Sequence, residues 1–159
     1  MIRRMLEQRK RIEIRWRDLD GFGHVNNAVF LTYLEECRDE FLQLQLHDPP
    51  GQGEFLLARV AIDYRSQVTM DDQWVEAQVG VERVGRSSVT LCERVLAGPE
   101  RRLAAEAEAV VVRYDWKTGR STPLDAALAA SLAASTADTS AQAASAATSG
   151  ESPSARPSV

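Results

Sequence analysis

The sequence predicts an α+β domain in which one long helix lies against an antiparallel sheet. Three observations carry this. A strictly alternating segment opens the domain, one helical stripe of apolar residues follows, and four long alternating segments joined by short turns fill the rest. One helix cannot cover both faces of such a sheet. The sheet must therefore curl round the helix or take cover from a second subunit.

The elements follow in order. In Lys10 to Arg17, Ile12, Ile14 and Trp16 alternate with Arg11, Glu13, Arg15 and Arg17, which predicts a half-buried strand. A polar loop, Asp18 to Asn27, comes next. From Ala28 the period becomes helical, with Phe30, Leu34, Cys37, Phe41 and Leu44 on one stripe that Leu31 and Leu42 widen. Glu35, Glu36, Arg38, Asp39 and Glu40 form its wet side. Asn26 or Asn27 supplies the N-cap, because a short amide side chain accepts from the free amides of the first turn. The helix ends before His47-Asp48-Pro49-Pro50-Gly51. Strands are then expected over Phe55 to Val68, Trp74 to Arg83, Ser88 to Leu96 and Leu103 to Trp116. Thr122-Pro123-Leu124-Asp125 predicts a short final helix capped by the threonine. Residues 1–9 read as an N-terminal extension and 10–132 as the domain. Residues 133–159, rich in Ala, Ser, Thr and Pro, lack the large side chains that offset ordering entropy and read as a disordered tail.

Composition narrows the function. The chain has 159 residues, 44% hydrophobic and 26% charged, with a formal net charge of −4. The tail from Ala133 carries Asp138, Glu151 and Arg156, a net −1, which leaves −3 for the rest. Neither part carries the dense positive field of a nucleic-acid binder. Cys37 and Cys92 form no metal-ligand spacing and no disulfide framework, which fits a reducing compartment. The N-terminal segment lacks a secretory apolar core, and no apolar run is long enough to cross a bilayer. A cytoplasmic protein without membrane or nucleic-acid partners is expected.

The loop RWRDLDGFGHVNN carries the candidate chemistry. Asp18, Asp20 and Gly23 match the opening of a calcium loop, but Phe22 and Val29 stand where further oxygen ligands are needed. A transition metal would have Asp18, Asp20 and His24 without a completing His or Cys cluster. No metal is expected. Cys37 lies on the apolar stripe, where a thiol is inert, and no G-x-S-x-G elbow exists. A carboxylate beside a helix start remains. Asp20 precedes a helix whose first amides are unsatisfied donors with partial positive charge. A carbonyl placed there would be polarised, and a nearby carboxylate could attack it or deprotonate a water. Gly21 and Gly23 would let the backbone turn and a ligand approach. On the residues alone a plain polar turn, in which Asp18 and Asp20 satisfy loop amides and His24 packs under the sheet, is the commoner arrangement, because polar loops before helices are common.

The run Asp18-x-Asp20-x-x-Gly23-His24-Val25-Asn26-Asn27, with Tyr33-Leu34-Glu35 and Arg38 after it, resembles the 4-hydroxybenzoyl-CoA thioesterase group of hotdog-fold acyl-CoA thioesterases. Ile62-Asp63-Tyr64, Asp71-Asp72 and Val84-Gly85-Arg86-Ser87-Ser88 extend the likeness, which covers roughly Arg11 to Leu132. The resemblance implies a curved five-stranded antiparallel sheet wrapped around a long central helix. It implies hydrolysis of acyl-CoA to a free acid and CoA, with no cofactor beyond the coenzyme A of the substrate. Homodimers, and tetramers built from them, are implied, with acyl-CoA at the dimer seam. The family's catalytic acid maps to Asp20 and its polarising backbone amide to Asn27, with Gly23, His24 and Asn26 shaping the loop. Trp16 stands where some members carry tyrosine, and Asn27 where some carry histidine. Val25 stands where a hydratase would place its histidine, which disfavours dehydration chemistry.

CoA presents phosphates, so basic residues should gather at its entrance. Arg83, Arg86, Ser87 and Ser88, round a glycine turn, are the expected patch, with Arg65 second. Each arginine equally suits a solvated strand end. The acyl group would lie between helix and sheet near Phe30 and Leu31. Two other readings stand beside hydrolysis of acyl-CoA: a non-catalytic acyl-CoA or partner-binding module, and a thioesterase whose donor is acyl carrier protein.

Overall fold

The computed structural model describes residues 8–46 and 54–134. The chain runs β1 (Gln8–Glu13), α1 (Asn27–Leu46), β2 (Phe55–Tyr64), β3 (Trp74–Val84), β4 (Ser88–Ala97), β5 (Arg102–Asp115) and β6 (Arg120–Ser121). A helical stretch, 126–134, follows. The sheet is antiparallel in the order β1-β3-β4-β5-β2, and the two-residue β6 pairs with the end of β5. The five expected strands are therefore present, with β6 added. After β1 the chain passes through α1 and returns as β2 on the opposite edge, so the sheet curls round the helix in the hotdog arrangement.

α1 packs on β1, β3 and β4. Phe30, Tyr33, Leu34, Cys37 and Phe41 meet Val75, Ala77, Val79, Leu91 and Val95 in one core. Burial of each large apolar side chain contributes on the order of 1.5–3 kcal/mol. The β2 edge is different. Leu56, Leu57, Ala61 and Tyr64 are exposed, and no strand pairs with its outer side among the described residues.

Several boundaries differ from expectation, each for a local reason. β1 begins at Gln8, inside the segment expected as an extension, and ends at Glu13. Ile12 and Ile14 are buried as expected, but Trp16 starts a 3₁₀ turn, Trp16–Asp18, and is 82% exposed. The Asp18 carboxylate accepts the Arg15 N–H (2.9 Å) and bends the chain out of the strand. Arg38, expected on the wet side of α1, is buried and donates to both Glu93 oxygens at 2.8 and 3.0 Å. β2 stops at Tyr64, short of Val68. The last helix is capped by Asp125, not Thr122. The Leu128 N–H donates to Asp125 Oδ1 (2.8 Å), while the Thr122 N–H is taken by the Arg113 carbonyl (3.0 Å). This helix runs to 134, two residues past the expected domain end, and buries Leu128 and Leu132. His47 to Gly51, the first residues of the expected extension and the rest of the expected tail lie outside the described residues.

Candidate active site

The loop between β1 and α1 is closed by the backbone. Leu19 and Val25 form a bridge, and His24 bridges to Thr69. The Val25 N–H donates to the Val68 carbonyl (2.7 Å), which fixes the loop to the chain leaving β2. Gly23 sits at φ +79°, a left-handed conformation that costs other residues energy. Gly21 is not in that region, and a Cβ there would meet nothing within 4 Å. The turn therefore depends on Gly23 alone of the two. His24 shapes the loop through its backbone: its carbonyl accepts the Asp20 N–H (2.7 Å) and its N–H donates to Asp20 Oδ1 (3.1 Å).

Asp20 is half-buried, and Oδ1 also accepts the Phe22 N–H (2.8 Å). These bonds orient the carboxylate. Oδ2 has no hydrogen-bond partner among the described residues, so one oxygen is free to act. Asn26 caps α1. Its Oδ1 accepts the Ala28 N–H (2.9 Å), its carbonyl accepts the Val29 N–H (2.9 Å), and its own N–H donates to the Asp18 carbonyl (2.8 Å). The exposed Asn27 starts the helix, and its N–H has no partner among the described residues. One loop thus presents an oriented carboxylate with a free oxygen and, at its end, an open amide with partial positive charge. Such a pair is suited to acyl transfer, the amide stabilising an oxyanion that the carboxylate helps to form.

Phe30 is buried, and its ring meets Tyr64 edge-on at 5.4 Å. Leu31 is half-buried. Tyr64, on the exposed edge strand, donates its hydroxyl to the Asn27 carbonyl (2.9 Å). Arg65 follows it, exposed and paired with Asp63 (3.2 Å) and Glu106 (3.3 Å). The Gly85 turn lies elsewhere. Arg83 and Arg86 are exposed and Ser87 and Ser88 half-buried, but Ser87 meets β5 at Arg113 whereas Arg65 meets it at Ala104. Nine residues of strand separate these points, about 30 Å at the usual rise. Within one protomer the expected CoA patch is split, and its larger half lies at the end of the sheet away from Asp20.

The side-chain partners of Asp18 and Tyr64 escaped the sequence reading, although Asp18 satisfies a loop amide as that reading allowed. Asp18 is buried and accepts the hydroxyl of the fully buried Tyr33 (2.7 Å); burial and Asp18 both push the Tyr33 phenol above its ordinary range. An acid in the half-apolar strand-to-helix junction was the available signal for Asp18. Tyr64 entered only through the Ile62-Asp63-Tyr64 likeness, and its partner, a backbone carbonyl far away in sequence, left no local signal. Burial, with Glu93 and Glu40 nearby, lifts the Cys37 thiol to about 12, so it is no nucleophile. Among the described residues no three His, Cys, Asp or Glu side chains gather to hold a metal ion. No helix there is long and apolar enough to cross a membrane.

A sequence profile of the Thioesterase-like superfamily matches residues 14–132. The long-chain acyl-CoA thioesterase FadM of Escherichia coli (strain K12) is 28% identical over 124 residues, 74% of this chain and 90% of that protein. A thioesterase from Thermus thermophilus, solved with coenzyme A and Zn, superposes with a TM-score of 0.74 at 35% identity, covering 83% of this chain and 96% of that one. A predicted thioesterase from Bacillus stearothermophilus superposes at 0.73 with 26% identity, covering 80% and 94%.

Proposed function

Because the chain belongs to the Thioesterase-like superfamily, we propose that it hydrolyses acyl-CoA thioesters to a free carboxylic acid and CoA. Asp20 Oδ2 acts on the thioester carbon, either as nucleophile or by deprotonating the attacking water. The Asn27 N–H, aided by the electropositive start of α1, stabilises the oxyanion. Collapse of the tetrahedral intermediate breaks the C–S bond and releases the CoA thiolate. On the base route the proton Asp20 took from water passes to the sulfur; on the nucleophile route a water then hydrolyses the Asp20 acyl anhydride, giving the free acid and restoring the carboxylate while its proton goes to the thiolate. The observation that carries this reading is the free Oδ2 of an otherwise anchored Asp20, on the loop that ends at an open helix amide. The chemistry needs no cofactor besides the coenzyme A of the substrate.

The working unit in this reading is a homodimer joined along β2, with a tetramer as a further assembly. The bare, partly apolar edge of β2 supports it. In an antiparallel β2–β2 pair the Phe55 end of one strand lies beside the Tyr64 end of the other. The partner's Gly85 turn, with Arg83, Arg86, Ser87 and Ser88, is then carried toward this protomer's Asp20. The split CoA patch becomes whole across the seam, with Phe30 and Leu31 bordering the acyl group. The protein's place in this reading is the cytoplasm, which suits its two free thiols.

The test is thiol release from acyl-CoAs of short, long and aromatic acyl groups, with and without a chelator, alongside the same acyl group on acyl carrier protein. Release from CoA donors, indifferent to the chelator, is expected. Tight binding without release would leave a binding module, and release from the carrier protein alone would change the donor.

A further inference from the structure

We propose that Asp18 and Tyr33 form a positioning clamp that sets where Asp20 and the Asn27 amide stand during catalysis. The inference rests on the acyl-CoA hydrolase reading above. Asp18 is 6% exposed, and its Oδ2 accepts both the Tyr33 O–H (2.7 Å) and the Arg15 N–H (2.9 Å). Its backbone carbonyl accepts the Asn26 N–H (2.8 Å). One residue therefore joins the core face of α1, through a side chain six residues past Asn27, to the cap of that helix. The segment from Leu19 to Val25, with Asp20 in it, is tied off between these attachments.

Packing alone would not place a carboxylate here. Burying one is costly unless it is fully hydrogen-bonded, and an apolar side chain would fill the space more cheaply. What the carboxylate supplies is direction: two short bonds at one oxygen, with the Arg15 guanidinium 3.9 Å away, beside a backbone bond that any residue here would keep. The groups that need this direction are Asp20 Oδ2 and the Asn27 N–H. Neither has a partner of its own among the described residues, so their neighbours set their separation. Displacement by about 1 Å at such a pair costs a rate on the order of a hundredfold.

The experiment compares kcat and KM for Tyr33→Phe, Asp18→Asn and Asp18→Leu, with Asp20→Asn run alongside. Tyr33→Phe removes one oxygen and keeps the ring in the core. Its kcat should fall roughly tenfold or more while KM stays within about twofold. Hydrogen exchange should quicken in residues 19–27 and stay unchanged in β3 to β5. Asp18→Asn keeps an acceptor for both donors and should hold kcat within a few-fold, whereas Asp18→Leu, which keeps none, should lose about a hundredfold. If Asp20→Asn turns over normally, the hydrolase reading fails. If it is inactive while Tyr33→Phe keeps the parental kcat and only melts lower, the clamp alone fails. Should Tyr33→Phe fold poorly, Asp18→Leu decides: parental kcat per folded molecule overturns the clamp.

Discussion

At Glu93 burial and a partner pull in opposite directions. Burial lifts its carboxyl from 4.5 to about 7, although the Arg38 guanidinium draws it back. The folded chain then holds the proton more tightly than the unfolded chain does. Glu93 contributes full stability below about pH 4.5 and loses that contribution as pH rises through about 7. Glu93→Gln, uncharged throughout, should flatten the fall in melting temperature between those limits; an unchanged slope would remove Glu93 as its source. The pair also shows what sequence reading misses at this scale. Arg38 sits among the charges of α1 and reads as solvated, and its partner is 55 residues away. The signal was on β4, where Glu93 occupies the same inward phase as Val89, Leu91 and Val95. Asp20, Gly23 and Asn26 were legible because their partners are within a few residues, so local spacing holds the information. The Tyr33 hydroxyl was hidden inside an apolar stripe, where only the ring counts toward the pattern.

Among elements, the strands were legible because alternation survives wherever one face is buried, and α1 because its stripe runs for more than three turns. Their ends were not. β1 stops where the Asp18 side chain competes for the Arg15 amide, and the final helix starts where Asp125, not Thr122, accepts an N–H of its first turn. β2 is the element whose reading changes most with context. Alternation predicted a strand with a buried face, yet much of it is bare in one protomer. The proposed seam makes use of that edge. Leu57→Lys changes a side chain already 46% exposed, so the protomer should keep its fold. At the proposed seam it would press a charge against the partner's partly apolar edge, which should yield monomers in sedimentation and lower turnover by roughly tenfold or more. A dimer of parental activity would place the seam elsewhere.

The whole molecule works by what its topology separates and joins. Because β1 and β2 take opposite edges, the loop after β1 and the end of β2 meet at one end of the sheet, beside the start of α1. There Asn27, Phe30 and Tyr64 come together at the end of the loop that carries Asp20, while the Gly85 turn is left at the other end. The fold class was legible from one helix and its strands, since few arrangements cover such a sheet. The distance between the two halves of the proposed CoA patch was not, because it depends on register along β5, which a single sequence does not print. Asp20 as the acting carboxylate is the claim on which the rest depends. The most direct measurement is the rate of thiol release by Asp20→Asn, paired with its melting temperature. The amide keeps an oxygen to accept the Phe22 and His24 N–H groups, so melting should be nearly parental while the rate falls by about a thousandfold or more. A folded Asp20→Asn protein that releases thiol near the parental rate would contradict it.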